Sequence, residues 1–125
     1  MNVILIGLGK IGYGHTPSIN NFSPVTHFNC IRGTDLNLEG AVEVNSNIRK
    51  HFEKLTNLPS WSCINQVPTS IEVDIVVVSV PTECHLEIVE KSLLRFHPRY
   101  LICEKTLGGN FESAKKIIEV CRVSG

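Results

Sequence analysis

The 125-residue sequence predicts an α/β fold, a doubly wound parallel sheet with strand order 3-2-1-4-5 and helices on both faces. Three observations carry that expectation. Short apolar runs alternate with helical segments or loops, which implies parallel pairing through right-handed crossovers. The clearest run, Asp74 to Val80 (DIVVVSV), is nearly continuous in Val and Ile, as strands are when both faces of a parallel sheet are covered. A glycine-rich turn, Gly7-Leu8-Gly9-Lys10-Ile11-Gly12, follows the first run directly.

Each element has its own signal. Val3 to Ile6 is the first strand and ends at Gly7. A helix opens at Lys10-Ile11-Gly12, shortened by Gly12, Gly14 and Pro17. His15 to Thr34 is rich in Asn, Pro, Ser and Thr and reads as a loop insertion with one helical stretch around Thr26 to Arg32. Leu38 to Val44 is the second strand, and Asn47 to Leu55 a short helix capped by Asn45 or Ser46. Trp61 to Ile64 is a weak third strand. After the DIVVVSV strand, Glu83 to Phe96 places Leu86, Val89, Leu93 and Phe96 on one helical face. Tyr100 to Cys103 is the fifth strand. The last helix runs from Phe111 to about Val123, with Asn110 as N-cap, Glu112 in its first turn and Gly125 past its end. Its apolar stripe is Phe111, Ala114, Ile117, Ile118 and Cys121.

Composition sets the bounds. A chain that is 42% hydrophobic and 19% charged suits one globular domain, residues 1–125, able to bury a core without disulfide staples. Twelve basic and twelve acidic side chains balance, so there is no electrostatic case for nucleic acid or an anionic membrane. Apolar runs as short as Ile75 to Val78 cannot span a bilayer, and Met1 to Ile6 lacks the basic leader of a secretory signal. The cysteines, at 30, 63, 84, 103 and 121, show no CxxC spacing. We expect reduced thiols packed as small hydrophobes in a cytoplasmic protein, with Cys63 and Cys103 in strand-like segments and no metal site.

The glycine turn carries the first functional signal. Gly7 makes the tight turn off the strand, Gly9 lets a pyrophosphate approach the backbone, and Gly12 lets the helix pack closely on the strand. Amide groups at the helix start then face the phosphates. A lone GxGxxG is weak, but here it follows a strand and opens a helix. A dinucleotide site also wants an acid at the end of the second strand. Glu43 fits that place, and its carboxylate would accept bonds from the adenosine ribose and repel a 2′-phosphate, favouring NAD over NADP. Glu43 lies farther from the glycines than the usual roughly 20 residues. The 15–34 loop absorbs the excess. The lesser alternative is an exposed strand-end acid, and Arg49 and Lys50 are close enough in sequence to serve a 2′-phosphate.

Two more turns lie at the same expected edge. The fourth strand ends Ser79-Val80-Pro81, and Thr82-Glu83-Cys84-His85 enters a helix. The fifth ends Cys103-Glu104-Lys105-Thr106. Without further context Lys105 is a solvated loop lysine and His85 a polar residue at a helix start. Together, however, GLGKIG at 7–12, VEVN at 42–45, DIVVVSVPTECH at 74–85 and ICEKTLG at 102–108 resemble the glucose-fructose oxidoreductase / inositol dehydrogenase (Gfo/Idh/MocA) family, in its order and over the whole chain. His15 and the Thr26-His27 pair look like a subgroup with an extended loop after the glycines.

The resemblance implies a Rossmann domain binding NAD, with roles carried position by position. Gly7, Gly9, Lys10, Ile11 and Gly12 would hold the pyrophosphate, and Glu43 the adenosine ribose. Val80, Pro81 and His85 would border the nicotinamide half, and Glu104 the nicotinamide ribose. Lys105 would be the catalytic lysine, bonding the substrate oxygen where hydride moves. Thr106 stands where the family has proline, which leaves Lys105 less constrained. The family also carries a second, substrate-binding and commonly oligomerising domain, so this chain is expected to be a fragment. The resulting expectation is an oxidoreductase moving hydride between a nicotinamide cofactor and a carbinol carbon of a sugar, sugar nucleotide or cyclitol. The alternatives are a non-catalytic NAD-binding regulatory module and, because of Thr106, a degenerate partner-binding scaffold.

Overall fold

Alternating apolar residues on strands and apolar stripes on helices settle into three layers. The structure, a computed structural model, describes residues 1–14 and 26–124. Five strands, β1 (Asn2–Ile6), β2 (Asn37–Val42), β3 (Ser60–Trp61), β4 (Ile75–Val78) and β5 (Tyr100–Cys103), form one sheet in the order β3-β2-β1-β4-β5. Every pairing is parallel. The helices are α1 (His27–Arg32), α2 (Ser46–Thr56), α3 (His85–Phe96) and α4 (Phe111–Val123). The insertion thus contains the expected helical stretch. His15, Pro17 and the rest of the loop through residue 25 lie outside the described residues, as does Gly125.

The two-residue period of the strands divides the core. Val3, Leu5, Ile75 and Val77 point to one face, where Phe28 and Ile31 of α1 and Phe52 of α2 cover them. Ile4, Ile6, Val76 and Val78 point to the other, against Val89 of α3 and Ile117 of α4. On the first face Tyr13, Phe28 and Phe52 meet edge to face, with centroids 5.1, 5.3 and 5.9 Å apart. Asn45 caps α2 by accepting from the amides of Asn47 and Ile48, and Asn110 forms a reciprocal capping box with Ser113 at α4.

Three expectations change. β3 is only Ser60–Trp61, because Ser62 donates through both its amide and its hydroxyl to Gln66 Oε1 and turns the chain off the sheet. Cys63 consequently lies exposed on a loop instead of in a strand. The stripe of α4 is also narrower than its sequence suggests. Only Ile117 is buried, while Phe111 is 78% and Ile118 45% exposed, because α4 sits over the edge strand β5 and has sheet beneath only part of its width. The third helix, expected from Glu83, opens with a tight turn over Thr82–Cys84 and becomes α-helical at His85.

Two measurements check this packing. Phe52→Ala removes a fully buried ring touching two others and should lower unfolding free energy by about 3–5 kcal/mol in urea denaturation. Burial, with Cys121 and Glu104 adding, pushes the Cys103 thiol up to about 11. With iodoacetamide at pH 8, Cys63 should therefore be alkylated at least roughly tenfold faster than Cys103, as read by peptide mass spectrometry.

Candidate functional site

The parallel register ends the strands in one row. Ile6 of β1 lies beside Val42 on one side and Val78 on the other. The next residue of each strand continues the ladder by one amide. Gly7 donates to Val42 O (2.8 Å), Glu43 to Trp61 O (2.9 Å), Ser79 to Ile6 O (2.8 Å) and Glu104 to Val78 O (3.0 Å). Four sequence-predicted segments thereby meet at the carboxyl edge, where ligands of open parallel sheets bind.

The three motif glycines occupy three different environments. Gly7 has φ of +92°, and a Cβ there would lie 2.7 Å from Ser79 O. A Cβ on Gly12 would collide with Gly7 O, so only glycine lets the following turn press against the end of β1. Among the described residues nothing lies within 4 Å of a Cβ position on Gly9. The carbonyl of Gly9 accepts from both Tyr13 N (2.9 Å) and Gly14 N (2.8 Å), a single wide turn across residues 10–14. Lys10 and Ile11 stand exposed on it.

Glu43 is bound to the glycine turn. Its Oε2 accepts from Leu8 N and its Oε1 from Asn45 N, both at 2.9 Å. Each oxygen keeps a further lone pair for a ribose hydroxyl. Arg49 points its Nη1 at the carbonyls of Glu43 (2.7 Å) and Val44 (2.9 Å), so this nitrogen braces the strand end. Ser79, which the sequence reading passed over, donates its hydroxyl to Gly7 O at 2.7 Å and locks the glycine turn to β4. A polar residue interrupting an otherwise apolar strand end was the available signal.

Beyond β4 the structure separates residues that the motif grouped. Val80 and Pro81 face the cleft. His85 does not, since it is fully buried with Nε2 3.0 Å from Val80 O and Nδ1 3.1 Å from Leu107 O. Its ring joins the turn after β4 to the loop after β5 and shapes the rim from beneath. Glu104 Oε1 lies 2.9 Å from His27 Nε2, and its Oε2 accepts from Lys105 N at 3.2 Å. Lys105 is exposed, and the Lys105–Thr106 peptide bond is cis.

A cleft of about 590 Å³ runs along this edge and brings Gly7, Gly9, Glu43, Val80 and Pro81 together. Ile48, Ile64 and Ile88 add apolar walls near Glu43, and Glu87 and Lys91 close the α3 side. The hydrogen bond between these two holds the Glu87 carboxyl below and the Lys91 ammonium above their ordinary values. The size and apolar walls, with a few convergent polar groups, fit a dinucleotide, and no described residue covers the Gly9 backbone where a diphosphate would lie. Glu104 and Lys105 lie one strand farther along the edge and do not line the cleft. Among the described residues no helix is long and apolar enough to cross a membrane.

The glycine geometry separates folding from binding. Gly12→Ala should lower the melting temperature by roughly 5–10 °C, because its methyl meets backbone that cannot yield. Gly9→Ala should leave the melting temperature within about 2 °C of the parent, because its methyl meets none of the described residues.

Comparison with known proteins agrees with this geometry. A family model described as an oxidoreductase family with an NAD-binding Rossmann fold, Gfo/Idh/MocA, matches residues 1–125. An oxidoreductase of Schizosaccharomyces pombe is 30% identical over 64 residues, which is 51% of this chain and 17% of that protein. A probable dehydrogenase from Thermotoga maritima superimposes with a TM-score of 0.78 at 20% identity, covering 99% of this chain and 34% of that one. The WlbA dehydrogenase from Chromobacterium violaceum, solved with NADH and UDP-GlcNAcA, gives 0.77 at 14% identity, covering 99% and 32%. Myo-inositol 2-dehydrogenase from Lactobacillus plantarum gives 0.72 at 18%, covering 99% and 33%. The chain thus spans about a third of these solved structures. The sheet order, the glycine turn with its carboxylate and the family match lead to one conclusion: this chain belongs to the Gfo/Idh/MocA oxidoreductase family and forms its NAD-binding Rossmann domain.

Proposed function

We propose that this chain is the cofactor half of an oxidoreductase that moves hydride between NAD and a carbinol carbon of a sugar, sugar nucleotide or cyclitol. The observation that carries the reading is the cleft running from Glu43 past bare Gly9 to Val80 and Pro81. Bound NAD supplies the hydride acceptor or donor of the reaction. Gly9 admits the diphosphate to the backbone, with Lys10 and Ile11 on the turn beside it. Gly7 and Gly12 give that turn its shape. Glu43, already oriented by two amides, accepts the ribose hydroxyls and disfavours a 2′-phosphate. Val80 and Pro81 wall the nicotinamide end, and buried His85 sets their position.

Lys105 is the group that meets the substrate. An exposed ammonium at the rim can donate to a carbinol or carbonyl oxygen and hold its proton while hydride moves. The substrate class is supported by the neighbours: one solved with UDP-GlcNAcA, another a myo-inositol dehydrogenase. Their threefold greater length supports a second, substrate-binding domain in the working enzyme. The compartment in this reading is the cytoplasm, where thiols stay reduced.

Titration followed by nicotinamide fluorescence tests the cofactor roles. NADH should bind saturably and NADPH at least roughly tenfold more weakly, a difference of about 1.4 kcal/mol. Gly9→Val should abolish NADH binding, and Lys105→Met should leave it within about twofold. Tighter NADPH binding would remove the role given to Glu43. Loss of NADH binding in the Lys105 variant would make that lysine a cofactor ligand.

A further inference from the structure

We propose that His27 is a positioning residue for Lys105, acting through the Glu104 carboxylate. The proposal rests on the reading of Lys105 as the lysine that meets the substrate. His27 opens α1, on the far side of the loop that follows the glycine turn. Its backbone is firmly seated. Thr26, the N-cap, is buried and accepts from Asn29 N through its hydroxyl, and Phe28 is buried against Tyr13 and Phe52. Glu104 is equally fixed at its backbone, where its amide extends the β4–β5 ladder. Between these anchors His27 Nε2 stands 2.9 Å from Glu104 Oε1, and both side chains are about four-fifths shielded, at 21% and 24% exposure. A carboxylate only accepts, so Nε2 carries the proton and donates.

This bond holds one oxygen of Glu104 toward α1. With Oε1 held by His27, Oε2 falls on the amide of Lys105, 3.2 Å away. On the other side of Thr106, His85 holds the carbonyl of Leu107 from the opposite face of the sheet. The exposed segment carrying Lys105 is therefore gripped from both layers of helices, and His27 supplies the grip on the side of the insertion. The shielded, charge-assisted His27–Glu104 bond restrains the carboxylate and, through it, the Lys105 backbone amide, so the segment that carries the lysine has less freedom to lose when Lys105 meets a reacting oxygen. The bond is a better restraint than an exposed ion pair, whose net worth is small.

Backbone NMR of this chain, with amide exchange, tests the proposal without a substrate. His27→Leu should move the Lys105 amide upfield and raise its exchange rate at least tenfold while the rest of the spectrum is kept. His27→Gln should restore both values, because the Gln side-chain amide nitrogen reaches the place of the imidazole Nε2. Glu104→Ala should reproduce the His27→Leu result, and adding His27→Leu to it should change nothing further. An unchanged Lys105 amide in folded His27→Leu, or His27→Gln behaving like His27→Leu, would overturn the proposal. Should His27→Leu fail to fold, unchanged Lys105 exchange in Glu104→Ala would do so. NADH titration of the same samples separates the two levels. A parent chain that does not bind NADH overturns the oxidoreductase reading and the proposal with it. NADH binding with an indifferent Lys105 amide overturns the role of His27 alone.

Discussion

The register of β1 between β2 and β4 is the constraint on which the remainder of this structure depends. Because Ile6 lies level with both Val42 and Val78, the residues that follow the three strands leave the sheet side by side. A slip of one residue would turn Ile4 and Ile6 toward the wrong layer and carry Gly7 away from Glu43 and Ser79. Two buried helical layers oppose that slip, so the hydrophobic core and the cleft geometry are held by the same pairing.

Three small contacts then convert a sheet edge into a site. Leu8 N to Glu43 ties β1 to β2 and Ser79 Oγ to Gly7 O ties β4 to β1 just past their ends, while Arg49 braces the end of β2 through the carbonyls of residues 43 and 44. Each is about 3 Å or shorter, and each satisfies a backbone group that a strand end would otherwise leave to water. The acid expected to serve a ligand is also a structural brace. Its carboxylate is already oriented by two amides, which would reduce the ordering required by the ribose contact proposed for it.

Much of this was legible in the sequence because it rests on local signals. The Val and Ile runs gave strands, Asn45 and Asn110 gave helix starts, and the glycine spacing gave the turn. The turn-making role of Gly7 and the packing role of Gly12 followed from the GxGxxG spacing, and the contacts of their missing Cβ positions agree. What could not be read depends on partners distant in sequence. Nothing local says that His85 lies under the rim between two carbonyls, or that His27 reaches a carboxylate 77 positions away. The stripe of α4 misled for a related reason. Helical periodicity shows which residues share a face, but not that the sheet beneath stops at β5.

The row of amides and carbonyls that continues the ladder past each strand has an evolutionary consequence. Main-chain groups are supplied by any residue except proline, so the scaffold of the cleft does not depend on most side chains around it. Sequence can drift widely at such an edge while its shape is kept, provided a few positions stay small or acidic. TM-scores of 0.72 to 0.78 at only 14% to 20% identity are compatible with that tolerance. Side chains just outside the row, free of the duty of building it, are then free to change without disturbing the edge.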